Sequence, residues 1–203
     1  LRQPAGSPLL PQTGRTACGT INMLYKGKNW KLPDGREAVL RSGKGRDGIT
    51  MLTLWKQVCT ETEFLIRYPS EITVTPEDEA PILEEALRSP EKYFLMCYVE
   101  GKAAGSCQLN RGERLKTRHR GTVGLSLLRE YWGLGLATVM MEEMAALGRK
   151  WGLMQLELSY MEGNDRARRL YERMGYAPVG EMPRAFQLLD GSLKKEIYMR
   201  LPL

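Results

Sequence analysis

The sequence predicts an α/β protein with a mixed sheet. Three observations carry that class. Residues 93–99 and 102–110 form an apolar hairpin about Glu100-Gly101. Residues 122–128 form a strand that leaves through glycines into an amphipathic helix. A second strand at 154–160 then turns into a helix at 165–174. An antiparallel meander followed by a strand–helix–strand crossover needs both ladder types in one sheet.

In chain order, residues 1–22 hold several prolines and glycines with little apolar periodicity, and read as a leader or added extension. Residues 23–203 are expected to form one domain. Glu37-Ala-Val-Leu-Arg41 is the first convincing strand, after a turn signal at Pro33-Asp34-Gly35. A helix is expected over residues 47–60, with Ile49, Leu52, Trp55 and Val58 on its inner face. Thr75-Pro76-Glu77-Asp78 starts a second helix: threonine caps, proline fits the first turn and acids favour the positive end of the dipole. It stops before Pro90, with Ile82, Leu83 and Leu87 inward. The helix after the glycine turn presents Leu136, Met140, Met144, Leu147 and Trp151 on one face. The last helix is capped by Asn164, stopped by Gly175, and faces inward with Ala167, Leu170, Tyr171 and Met174. A final strand over 195–201 completes the sheet or pairs with a second copy, so monomer and homodimer are both open.

Net charge is +6 at neutral pH, which suits solubility or a polyanionic ligand. Nucleic acid is an unlikely partner: there is no zinc-finger spacing, and the basic loop at 111–120 reads as a solvated connection. Cys18, Cys59, Cys97 and Cys107 lack CxxC spacing, and the single His119 disfavours a histidine metal site, so no metal is expected. No apolar run reaches membrane-spanning length, and reduced thiols suit a cytoplasmic protein with no membrane partner.

Chemistry concentrates at two places. Gly133 and Gly135, with Ala137 beyond, allow close approach of a phosphate to main-chain N–H groups at a helix start. The pattern is not the dinucleotide fingerprint, because the third glycine position is Thr138, and the P-loop lysine is missing. The second place is Glu61, Glu63 and Glu71, which read either as a solvated acidic surface or as the base for an amine.

Arg129-Glu-Tyr-Trp-Gly-Leu-Gly-Leu-Ala137 and Asn164-Asp-Arg-Ala-Arg-Arg-Leu-Tyr-Glu-Arg-Met-Gly-Tyr176 together resemble the GCN5-related N-acetyltransferase (GNAT) superfamily. The resemblance implies a mostly antiparallel central sheet with a splayed strand pair, flanked by helices, and acetyl-CoA as co-substrate. It implies that N–H groups of Gly133, Leu134, Gly135, Leu136, Ala137 and Thr138 hold the pyrophosphate. The main chain around Leu125, Leu127 and Leu128, with Asn164, would meet the pantetheine arm. Leu127 N–H would polarise the acetyl carbonyl, and Tyr171 would both border the cofactor and protonate the leaving thiolate. Trp132 stands in the same loop where the family usually has Gln or Arg, which removes one side-chain phosphate contact. No carboxylate lies on the strand at 122–128, so Glu61, Glu63 or a water chain is left as base. The expected activity is direct acetyl transfer to a primary amine, such as a protein N-terminus, a polyamine or another small amine. The acceptor pocket is expected from the first two helices and the hairpin near 184–190. The alternative is a catalytically silent CoA-binding sensor or partner-binding module.

Overall fold

A computed structural model describes residues 25–203; the proposed leader, the domain start at Met23 and Cys18 lie outside the described residues. Eight strands form one sheet in the order β1-β2-β3-β4-β5-β6-β8-β7. They are β1 (Lys28–Lys31), β2 (Glu37–Ser42), β3 (Lys92–Val99), β4 (Lys102–Arg111), β5 (Arg120–Leu127), β6 (Gln155–Met161), β7 (Ala177–Gln187) and β8 (Leu193–Pro202). The helices are α1 (Gly48–Glu61), α2 (Pro76–Arg88), α3 (Leu136–Lys150) and α4 (Asp165–Arg173). Only β5 and β6 pair in parallel, as the crossover through α3 requires.

The helix periodicities translate into packing. Met140, Met144 and Leu147 of α3 are buried against the sheet, and the Trp151 ring stacks on Tyr93 with centroids 4.6 Å apart. Asn164 Oδ1 accepts from Ala167 N at 3.1 Å, capping α4, and Gly175 adopts a left-handed φ of 88° just past its end. Thr75 and Asp78 form the reciprocal capping box at the start of α2. At the start of α1, Asp47 is held by Arg41 through two bonds of 2.7 and 2.8 Å and accepts from Lys44 N at 2.9 Å. Tyr98 completes the cluster, accepting from Arg41 at 2.8 Å and donating to Asp47 at 3.2 Å. This lattice fastens α1 to β2 and β3.

Four details refine the sequence reading. Ile49 and Ile82 are exposed, at 64% and 53%, because each lies on the solvent edge of a helix whose inner face is set by Leu52 and Val58, or by Leu83. β1 is an edge strand that the sequence shows only as a turn signal. β7, rich in proline and glycine, is nonetheless a strand: its register breaks at Pro178/Gly180 and Met182/Phe186, which accommodates those residues on a sheet edge. Finally, β8 is enclosed between β6 and β7, so its hydrogen-bonding edges are used within the chain rather than offered to a second copy. In the loop at 111–120, Arg111 and Arg118 lie 3.9 and 3.7 Å from Glu91. No helix among the described residues is long and apolar enough to cross a membrane.

Candidate active site

Leu128 N–H donates to Ala104 O at 2.9 Å. Main-chain polar groups alternate along a strand, so those of Leu125 and Leu127 point away from β4, toward β6. There β6 has already departed: parallel pairing with β5 ends at Thr122↔Glu157. The sheet is therefore splayed from Val123 onward, and the N–H groups of Leu125 and Leu127 face the gap. Leu128 is buried, its N–H is spent on Ala104, and it does not line the cavity into which the gap opens.

The gap opens into a cavity of about 1020 Å³. Gly105 lets β4 come close at its inner end: a Cβ there would stand 2.4 Å from Ser126 O. Ser106 and Ser126 share a hydrogen bond of 2.9 Å across β4 and β5 and line the cavity.

At one end lies the turn before α3. Gly133 and Gly135 have φ of 83° and 81°, and a Cβ added at either would meet nothing within 4 Å. The glycines are there for backbone conformation and for the space they leave open, not to avoid a protein neighbour. The cavity is lined there by Gly133, Gly135, Leu136, Ala137 and Thr138, where the first turn of α3 has unpaired N–H groups. Leu134 packs against the core instead and does not line the cavity. Trp132 does, and its Nε1–H donates to Leu127 O at 2.9 Å. The Arg166 guanidinium lies 4.7 Å from the Trp132 ring centroid, and Arg129 lies 5.6 Å from it on the same indole. On α4, Arg168 is paired with Asp165 and Glu172, whereas Arg166, Arg169 and Arg173 line the cavity without an ion pair among the described residues. The helix start and these guanidinium groups give this end a positive potential.

Tyr171 lies on the inner face of α4, 9% exposed, and lines the cavity. Its ring centroid is 6.1 Å from Tyr160 and 6.0 Å from Tyr176. Burial, reinforced by the neighbouring Tyr160, pushes its phenol up to about 12. Asn164 also lines the cavity, but its Oδ1 is committed to capping α4, which leaves the amide NH₂ for a ligand.

The acids lie elsewhere. Glu61 Oε2 accepts from Arg129 N at 2.6 Å and Oε1 accepts from Gln57 at 3.1 Å; Arg129 also donates to the Glu61 carbonyl. Glu61 thus ties the end of α1 to the loop after β5. Glu63 is exposed, and Glu71 accepts from Tyr68 N at 2.7 Å. None of the three lines the cavity. The opposite wall comes instead from α1 and the segment after it: Trp55, Cys59, Phe64, Arg67 and Ile72, with Phe94 of β3. The β7–β8 loop reaches this segment, since Leu189 N donates to Tyr68 Oη at 3.1 Å, but residues 184–190 do not line the cavity. The sequence reading placed Trp55 on the inner face of the first helix but did not single out Phe64, Ile72 or Phe94, because no local spacing brings those four side chains to one wall.

A family model for the acetyltransferase (GNAT) family matches residues 57–176. An uncharacterized N-acetyltransferase of Mycobacterium tuberculosis is 31% identical over 104 residues, covering 51% of this chain and 64% of that protein. The chain thus spans under two thirds of the length of the curated relatives it matches. Among solved structures, a GNAT-family acetyltransferase from Streptococcus pneumoniae superimposes with a TM-score of 0.77 at 23% identity, covering 82% of this chain and 99% of that one. A putative acetyltransferase from Salmonella typhimurium, solved with its cofactor acetyl-CoA, gives 0.71 at 16% identity, covering 82% and 94%.

Proposed function

The chain belongs to the acetyltransferase (GNAT) family, and from that premise we propose that it transfers the acetyl group of acetyl-CoA to an amine by direct attack. One observation carries the reading: a single cavity joins the glycine turn, the free face of β5 and the Tyr171 phenol. The Salmonella protein's acetyl-CoA supports the choice of co-substrate.

In this reading, N–H groups from Gly133 to Thr138 receive the pyrophosphate, with Leu136, Ala137 and Thr138 at the positive end of α3. Arg166, held on Trp132, supplies the side-chain phosphate contact that an indole cannot make. The N–H groups of Leu125 and Leu127 and the Asn164 amide bind the pantetheine arm. Leu127 N–H also meets the thioester oxygen, where negative charge grows as nitrogen attacks. A carbon–nitrogen bond forms, the carbon–sulfur bond breaks, and the ammonium proton passes to solvent. The departing sulfur takes the Tyr171 proton, which solvent later replaces. A phenol raised to about 12 is fully protonated at neutral pH and above a thiol of about 8.5, so the proton is available when sulfur leaves.

Because Glu61 and Glu63 lie outside the cavity, the amine is best deprotonated before it enters, or through water at Ser106 and Ser126. The same absence favours, as second reading, a CoA-binding module without turnover. CoA release over a panel of amines separates the two: turnover strongly reduced by Tyr171→Phe supports the transferase, and tight acetyl-CoA binding with no turnover supports the module. A cytoplasmic location remains part of this proposal; among the described residues Cys59, Cys97 and Cys107 are free, and burial pushes the Cys97 and Cys107 thiols up, which supports it.

A further inference from the structure

The acceptor half of the cavity has an unusual charge. Its wall is apolar and aromatic: Trp55, Phe64, Ile72 and Phe94. The charged side chain on this wall is Arg67, exposed at the mouth, with its guanidinium 5.9 Å from the Trp55 ring centroid. Arg67 forms no ion pair among the described residues, and its charge reaches inward to Cys59 and Glu79. Burial pushes both of those groups up and Arg67 pulls both back. Among the described residues that line the cavity, the one carboxylate is Asp165, at the start of α4 and 3.3 Å from Arg168. Glu61 and Glu63 do not reach it.

A polycation entering this pocket would meet a guanidinium, and the one lining carboxylate, Asp165, is already shared with Arg168. Like charges in a partly desolvated site repel, and an ammonium left without a partner is costly. An acceptor that brings its own negative charge reverses the balance, because Arg67 then gains a bidentate partner. We propose that the acceptor is an amine that also carries a carboxylate on an apolar or aromatic body, with the carboxylate on Arg67 and the body against Trp55, Phe64, Ile72 and Phe94. This rests on the acetyl-transfer reading above. The neutral amine forms the new carbon–nitrogen bond, its surplus proton goes to solvent, the carbon–sulfur bond breaks, and Tyr171 protonates the sulfur.

The test compares phenylalanine, methionine and leucine with their amides and with spermidine, by initial rates of CoA release. Rates are read at about pH 9.5, where the amides are neutral amines and roughly half of each amino acid is, so the remaining difference in protonation works against the amino acids and cannot create their expected preference. The best amino acid should exceed its own amide at least about tenfold in kcat/KM, as expected for a charge-assisted contact. Arg67→Met should abolish that preference and Arg67→Lys restore part of it, with the acetyl-CoA dissociation constant unchanged by calorimetry. Equal or better turnover of the amides or spermidine overturns the inference and leaves the transferase standing. So does acetyl-CoA binding without turnover of any of the three amino acids while another amine reacts. Failure of the wild-type protein to bind acetyl-CoA overturns the underlying reading, and the acceptor assignment falls with it.

Discussion

The indole N–H of Trp132 donates to the carbonyl oxygen of Leu127 at 2.9 Å. The loop that carries the glycine turn is thereby tied to the last residue of β5, whose own N–H faces the gap. The one N–H of the Trp132 side chain is thus committed within the chain. The indole fixes the distance between two main-chain segments and provides a platform for Arg166. Trp132→Phe keeps the platform and loses the bond. It should cost about 1 kcal/mol in stability and weaken acetyl-CoA binding by about three- to tenfold. Denaturant titration and calorimetry read the two effects separately.

Tyr171→Phe should lower kcat by about a hundredfold with little change in acetyl-CoA affinity, as loss of a general acid does without loss of a binding contact. The wild-type rate should climb with pH as the acceptor amine deprotonates, with no descending limb below about pH 10, since the phenol is raised to about 12. The same shift sets the sign of stability. A phenol whose folded pKa exceeds its unfolded value near 10 contributes fully below that value and loses its contribution as pH rises toward 12. Tyr98, also pushed up to about 12, first by burial, titrates in the same window. Thermal melts should therefore fall between pH 10 and 12.

Gly135→Ala tests the glycine turn. The backbone sits at φ 81°, so alanine there costs about 1–2 kcal/mol. No protein atom lies within 4 Å of the new methyl group, so packing is unaffected. The methyl would instead stand where the pyrophosphate is proposed. Affinity for acetyl-CoA should drop at least about tenfold, more than the modest fall in melting temperature would suggest. Equal affinity would place the phosphates elsewhere.

Asp47→Ala should destabilise by about 2–4 kcal/mol, because it leaves the half-buried Arg41 guanidinium without its counter-charge and the Lys44 N–H without its acceptor. Burial tends to raise the Asp47 carboxyl, but the Arg41 hydrogen bonds and charge and the Lys44 N–H outweigh it, so the net shift is downward. A depressed carboxyl contributes stability above its unfolded pKa and loses it as pH falls through the folded one. The wild-type protein should thus lose stability in acid more steeply than the variant, measured by chemical denaturation from pH 6 to about 2.

Much of this was legible in the sequence because short-range signals agreed with long-range ones. Thr75-Pro76 fixed the start of α2, Asn164 and Gly175 bracketed α4, and Gly133 and Gly135 marked the turn. The strands that escaped notice were edge strands. β1 has four residues, and β7 carries Pro178, Gly180 and Pro183. Both owe their conformation to a neighbour rather than to their own composition. Spacing singled out Tyr171 and the glycine turn, and both line the same cavity. Leu128 could not be separated from Leu127, because a one-residue step reverses the direction of every main-chain group and only pairing with Ala104 reveals it. Glu61 read as a free acid, since no local pattern shows that Arg129, far along the chain, has claimed it.

The short parallel contact between β5 and β6 has a consequence for how the molecule holds together. Three residue pairs join a five-stranded panel to a three-stranded one. A guest that hydrogen-bonds to the vacant side of Leu125 and Leu127 while touching α4 would bridge both panels, much as mortar fills an open seam. Saturation with such a guest at a hundred times its dissociation constant adds about 2.7 kcal/mol to the whole fold. Its loss would leave that seam the first place to breathe.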